Sequence, residues 1–121
     1  MKIPKRRTRR KTPAHRRAPE QEKAAARRIN GMTVKGSGSG FMKGDARRIG
    51  LVRIECKTTR HMSYRIRRQE IEKLEAAVFG AGEIPVMEIE LDLGKTRFYI
   101  VPAWAMDDLL DRLCGDGDAT K

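Results

Sequence analysis

The chain has little of what most stabilising or catalytic devices require. Its two cysteines, Cys56 and Cys114, are too few for a disulfide framework or a zinc ligand set, so both are expected to be free thiols. Its two histidines, His15 and His61, are scattered without a partner motif, and neither is given a role. Aromatic residues make up 5% of the chain, too few for a stacking platform of the single-strand-binding kind. No apolar run approaches the ~20 residues that span a bilayer, and no apolar segment follows the N-terminal charges as an export signal would require. The chain therefore reads as intracellular, with no membrane partner. At 121 residues it is one domain at most, with little room for a second core.

What it has in excess is positive charge. The count of 27 Lys+Arg against 16 Asp+Glu gives a formal net charge of +11, which suits a polyanionic partner. The excess is local. Residues 1–35 carry thirteen Lys+Arg against Glu20 and Glu22, whereas residues 36–121 hold fourteen basic and fourteen acidic residues. Residues 2–18, with Pro4, Pro13 and the clusters around Arg6, Arg7, Arg9 and Arg10, have almost nothing apolar to bury. Self-repulsion should keep this segment a disordered arm, residues 1–18, that meets DNA or RNA phosphates and supplies affinity rather than specificity.

The folded domain is expected over residues 19–114, with a flexible tail at 115–121. Pro19, Glu20 and Glu22 suit a helix start, and Asn30-Gly31 a helix stop. On that helix Glu22, Ala25, Ala26 and Ile29 share one face. Asp45 to Lys57 reads as a β-hairpin turning near Ile49-Gly50. Ser63 is a candidate cap for a second helix with an apolar stripe of Ile66, Ile71, Leu74, Ala77 and Val78. Residues 84–91 alternate apolar and acidic side chains and pair with residues 97–101, and Trp104 to Leu113 suit a last amphipathic helix. The order is α-β-β-α-β-β-α, an α/β or α+β domain with a mixed sheet.

The sharpest signal is Asp45 followed, after nine residues, by Glu55-Cys56-Lys57. Period two puts Glu55 and Lys57 on one face of a strand while Val52, Ile54 and Cys56 face the core, and the hairpin returns Asp45 beside them. Two converging carboxylates repel, so either one takes a proton or a cation sits between them. Hard oxygen donors suit Mg²⁺, with Mn²⁺ as a substitute, and Lys57 would stabilise charge building on a phosphodiester under attack. The bland reading is a solvated Glu-x-Lys salt bridge worth under ~1 kcal/mol.

The chain resembles the PD-(D/E)XK nucleases, and within them the small Holliday-junction resolvases of archaea and phages. The resemblance rests on Gln21-Glu22, Gly36-Ser37-Gly38-Ser39-Gly40, Lys43-Gly44-Asp45, Ile54-Glu55-Cys56-Lys57-Thr58-Thr59 and Ser63, and covers roughly residues 19–105. Gly44 stands where the motif has proline. The resemblance implies a restriction-endonuclease-like mixed sheet flanked by helices, with catalytic residues Glu22, Asp45, Glu55 and Lys57. It also implies metal held by Glu22, Asp45, Glu55 and the Cys56 backbone carbonyl, and DNA contacts from Ser37, Ser39, Lys43 and Thr58 besides the arm. The implied protein is a Mg²⁺-dependent endodeoxyribonuclease, a homodimer resolving four-way junctions in branched double-stranded DNA by paired nicks, in the host cytoplasm if phage-encoded. The rivals are a nuclease for another branched or damaged DNA and a non-catalytic basic nucleic-acid-binding protein.

Overall fold

The computed structural model describes residues 12–34 and 45–115. Its first helix, α1 (Pro13–Arg28), starts where the Thr12 hydroxyl accepts a hydrogen bond from the His15 N–H and Pro13 occupies the first turn, where a missing N–H is harmless. The expected start at Pro19 is thus too late: Pro19 lies inside the helix, and residues 13–18, assigned by composition to a disordered arm, are helical. Composition misleads there because Arg17 has a distant partner. Its guanidinium donates to both oxygens of Glu90 at 2.9 Å. At the other end, Asn30 adopts a left-handed conformation, and the N–H groups of Asn30 and Gly31 return to the carbonyls of Arg27 and Ala26. A Cβ on Gly31 would collide with the Arg47 carbonyl oxygen, so only glycine lets the chain pass directly into the next strand.

That strand, β1 (Met32–Val34), is an addition to the expected order; three half-exposed or exposed residues carry no legible alternation. It pairs antiparallel with β2 (Asp45–Arg48), which forms the expected hairpin with β3 (Val52–Thr58). Gly50, at φ 78°, supplies the left-handed turn residue. The chain then crosses through α2 (Arg68–Val78) to β4 (Ile84–Leu91), parallel to β3. A short 3₁₀ turn at Asp92–Gly94 leads to β5 (Thr96–Ile100), antiparallel to β4, and α3 (Ala103–Cys114) follows. The strands lie side by side in the order β1-β2-β3-β4-β5. Among the described residues the fold is α+β, with a five-stranded mixed sheet and three α-helices. No helix among the described residues is long and apolar enough to cross a membrane.

Contrary to the expectation of little room for a second core, alternation along the strands builds two small ones, because α1 and α2 cover opposite faces of the one sheet. Under α1, Ala25 and Ala26 pack with Ala46, Ile54 and Val86, joined by Val52 and Cys56 as expected. The second core sets Leu74 of α2 against Met87 and Ile89, with Tyr64 and Ile71. Tyr64 explains why α2 begins at Arg68 and Ser63 caps nothing. Its ring enters this core and its hydroxyl donates to Glu70 at 2.8 Å, which keeps the preceding segment non-helical. Ile66 and Ala77 are consequently exposed rather than part of the apolar stripe.

The acidic residues of β4 face inward. Glu88 and Glu90 are 0% and 1% exposed beneath α1. Arg28 and Gln21 donate to Glu88, at 3.2 and 3.1 Å, and Arg17 and Thr58 donate to Glu90. Arg17, Gln21, Ala25 and Arg28 recur at helical spacing, so one stripe of α1 supplies these partners. A third buried acid, Glu83, accepts from Arg47 at 2.6 Å and from the Gly50 N–H at 3.0 Å. Such pairs add little net stability but are costly to break, because the surviving charge stays buried.

Candidate active site

The hairpin delivers the carboxylates as strand periodicity requires. Asp45 and Glu55 are direct register partners across β2 and β3, which places both side chains on the same face. Arg53, Glu55 and Lys57 alternate along that face. Lys57 Nζ lies 3.2 Å from Glu55, and Arg53 donates to Asp45 at 3.2 Å. Arg53 was not foreseen as part of the site, although the periodicity that placed Glu55 and Lys57 also places it. From α1, Glu22 is half-buried and lies close enough to Asp45 for the two charges to interact.

Burial pushes the carboxyl groups of Asp45 and Glu22 above their ordinary range, and like charge adds to it, Glu55 acting on Asp45 and Asp45 acting on Glu22. The Arg53 guanidinium pulls Asp45 the other way without outweighing burial. Burial also raises the Cys56 thiol well above the usual thiol range, so it is a neutral packing group and not a nucleophile.

The centre of the α1 face is Gln21, one position from the expected Glu22. Fully buried, Gln21 donates from its amide nitrogen to the backbone carbonyl of Lys57 at 3.0 Å and to that of Glu88 at 3.2 Å. It ties α1 to the strand end that carries the Glu55-Cys56-Lys57 run. The Ala-rich helix hid this role, because several of its faces look equally apolar.

The donor chemistry suits a hard divalent cation: two carboxylates in register, a third within electrostatic reach, and protonation favoured at two of them. Among the described residues, however, no group of three or more His, Cys, Asp or Glu side chains converges closely enough to hold a metal ion. Asp45 faces Arg53 and Glu55 faces Lys57 instead. Ser37, Ser39, Lys43, Arg6, Arg7, Arg9 and Arg10 lie outside the described residues. Thr58 is described, and its hydroxyl donates to Glu90 at 3.2 Å rather than standing free for a phosphate. Compared with family models, curated proteins and solved structures, the chain matches none.

Proposed function

We propose that the protein is a metal-dependent endodeoxyribonuclease of the PD-(D/E)XK kind that resolves four-way DNA junctions by paired nicks. The observation that carries this reading is the register pairing of Asp45 with Glu55, with Lys57 next along the same face and Glu22 approaching from α1. A restriction-endonuclease-like fold is part of the proposal, and the mixed sheet with a parallel β3–β4 pair supports it. Asp45 and Glu55 would hold Mg²⁺ or Mn²⁺ with the Cys56 carbonyl as a backbone donor, and Glu22, which does not converge with them here, would have to move closer to serve as a third acid. Bound there, such an ion polarises a phosphoryl oxygen and lowers the pKa of its water. Lys57 sets a positive charge where negative charge grows on the phosphodiester oxygens, and Glu55 orients its ammonium group.

Action as a homodimer inside the cell, or in the cytoplasm of a phage's host, completes the proposal. A symmetric dimer matches the two-fold related strands of a junction. Support for it comes from α3, which buries only Ala105 and leaves Met106, Leu110 and Leu113 exposed.

A second reading, a non-catalytic nucleic-acid-binding protein, draws on the ion pairs Asp45–Arg53 and Glu55–Lys57, which satisfy both carboxylates without a metal. Metal dependence separates the two. Incubated with a labelled four-way junction, the protein is expected to cut with Mg²⁺ and not with chelator. Binding without cutting under both conditions would favour the second reading.

A further inference from the structure

We infer that the segment joining β3 to α2, residues 59–67, is a DNA-contacting surface whose arginines grip the phosphodiester backbone beside the Asp45–Glu55 pair. The inference rests on the proposed function only in taking DNA as the polyanion. From Thr58 to Gln69 the chain contains no acid, and within it stand Arg60, Arg65, Arg67 and Arg68. Arg60, Arg65 and Arg67 are exposed. Among the described residues none of them forms an ion pair. In the body of the domain Arg17, Arg28, Arg47, Arg53 and Arg97 are bound to carboxylates while Arg16, Arg27 and Arg48 form no ion pair among the described residues, and next to the segment Arg68 pairs with Glu72 at 3.4 Å. Cations left unpaired in a cluster keep their full attraction for a polyanion, and guanidinium groups match phosphate with two parallel hydrogen bonds.

The segment is also held in place. The Thr59 N–H bonds the Glu90 carbonyl, and the Thr59 and His61 carbonyls accept from the N–H groups of Leu93 and Asp92, all at 2.9 to 3.0 Å. Tyr64 anchors the middle through its ring and its bond to Glu70, and the Arg67 carbonyl accepts from the Glu70 N–H at 3.0 Å. Arginines on a fixed backbone lose less freedom on binding than those on a loose tail. Position follows from the register. Tyr64 packs with Met87 and Ile89, the β4 residues paired with Glu55 and Lys57. A backbone lying along residues 59–67 therefore runs past the carboxylates.

The test measures binding of the full chain to a four-way junction in chelator, across a salt series, for three variants. Replacing Arg60, Arg65 and Arg67 together by alanine should make the slope of log K against log salt shallower by about 0.9 for each arginine that meets a phosphate, or roughly 2.7 for all three. A control that removes the same charge from exposed positions elsewhere, Arg27→Ala with Arg48→Ala and Lys73→Ala, should change the slope by less. Arg60→Lys with Arg65→Lys and Arg67→Lys keeps the charge and should keep the slope, so that a loss confined to the alanine variant is a loss of charge. A loop variant with the wild-type slope, or one no shallower than the control, overturns the inference. Because no cutting occurs in chelator, a loop-dependent slope in a protein that never cuts refutes the nuclease reading alone. A loop-independent slope in a protein that cuts refutes this inference alone.

Discussion

Asp45 and Glu55 face each other across two paired strands, and each carries a cation of the opposite charge beside it. If that pair holds a metal, Asp45→Asn and Glu55→Gln should each abolish Mg²⁺-dependent cutting while leaving junction binding unchanged or slightly tighter, since each deletes a negative charge near the phosphate. Gel assays of binding and cleavage on one junction check this, and cutting retained by both variants would end the metal-site proposal. Glu22 offers a separate measurement without DNA. Its folded carboxyl favours the proton, so as pH rises past the ordinary glutamate range, near pH ~4, the native state loses stability relative to a chain with no such group. Glu22→Gln should therefore match the wild type in melting temperature in acid, and melt at a higher temperature near neutrality in metal-free buffer. A variant that matches the wild type in acid but melts at a lower temperature near neutrality would mean that the Glu22 carboxyl is stabilised as an anion.

At the scale of elements, what was legible in the sequence is what local pattern decides. The β2–β3 hairpin, β4, β5 and α3 follow from period two, helical spacing and turn glycines, and with them came Asp45, Glu55 and Lys57 on one face. What was missed depends on partners far along the chain. The start of α1 follows from Arg17 meeting Glu90, the start of α2 from Tyr64 entering the core, and β1 from Gly31 fitting against Arg47. Gln21 was missed for a related reason, since only the buried Glu88 and the Lys57 carbonyl tell its face from the neighbouring ones. The consequence for α1 is measurable. Arg17→Ala leaves Glu90 buried with Thr58 as its remaining side-chain donor, and should cost about 2 kcal/mol in urea unfolding. Truncation after residue 11 should leave stability unchanged, whereas truncation after residue 18 should lose at least what Arg17→Ala loses. Equal stability of the two truncations would mean that the first turns of α1 do no structural work.

For the whole molecule, not all of the 27 Lys+Arg are available to a ligand, because Arg17 and Arg28 are already bound to Glu90 and Glu88. Deleting residues 2–11 removes seven cations and no acid while sparing α1. Binding to linear and branched DNA should weaken alike, with a shallower salt dependence, and nuclease activity should persist at saturating enzyme. Loss of discrimination between a junction and a linear duplex would mean that this segment reads shape. The buried pairs also bear on how the chain reaches its native state. Arg17 and Arg28 must wait for Glu90 and Glu88, 73 and 60 residues further on, and contacts so far apart form slowly. During synthesis the basic helix emerges long before its acids, and in that interval a nucleic-acid partner of the proposed kind would compete for the same guanidinium groups. Short DNA added during refolding should therefore slow the return of native structure in stopped-flow fluorescence of Trp104, and high salt should restore the rate. If nucleic acid is the partner, the acids of β4 would act as an internal competitor that withdraws two arginines from it only once the sheet has formed.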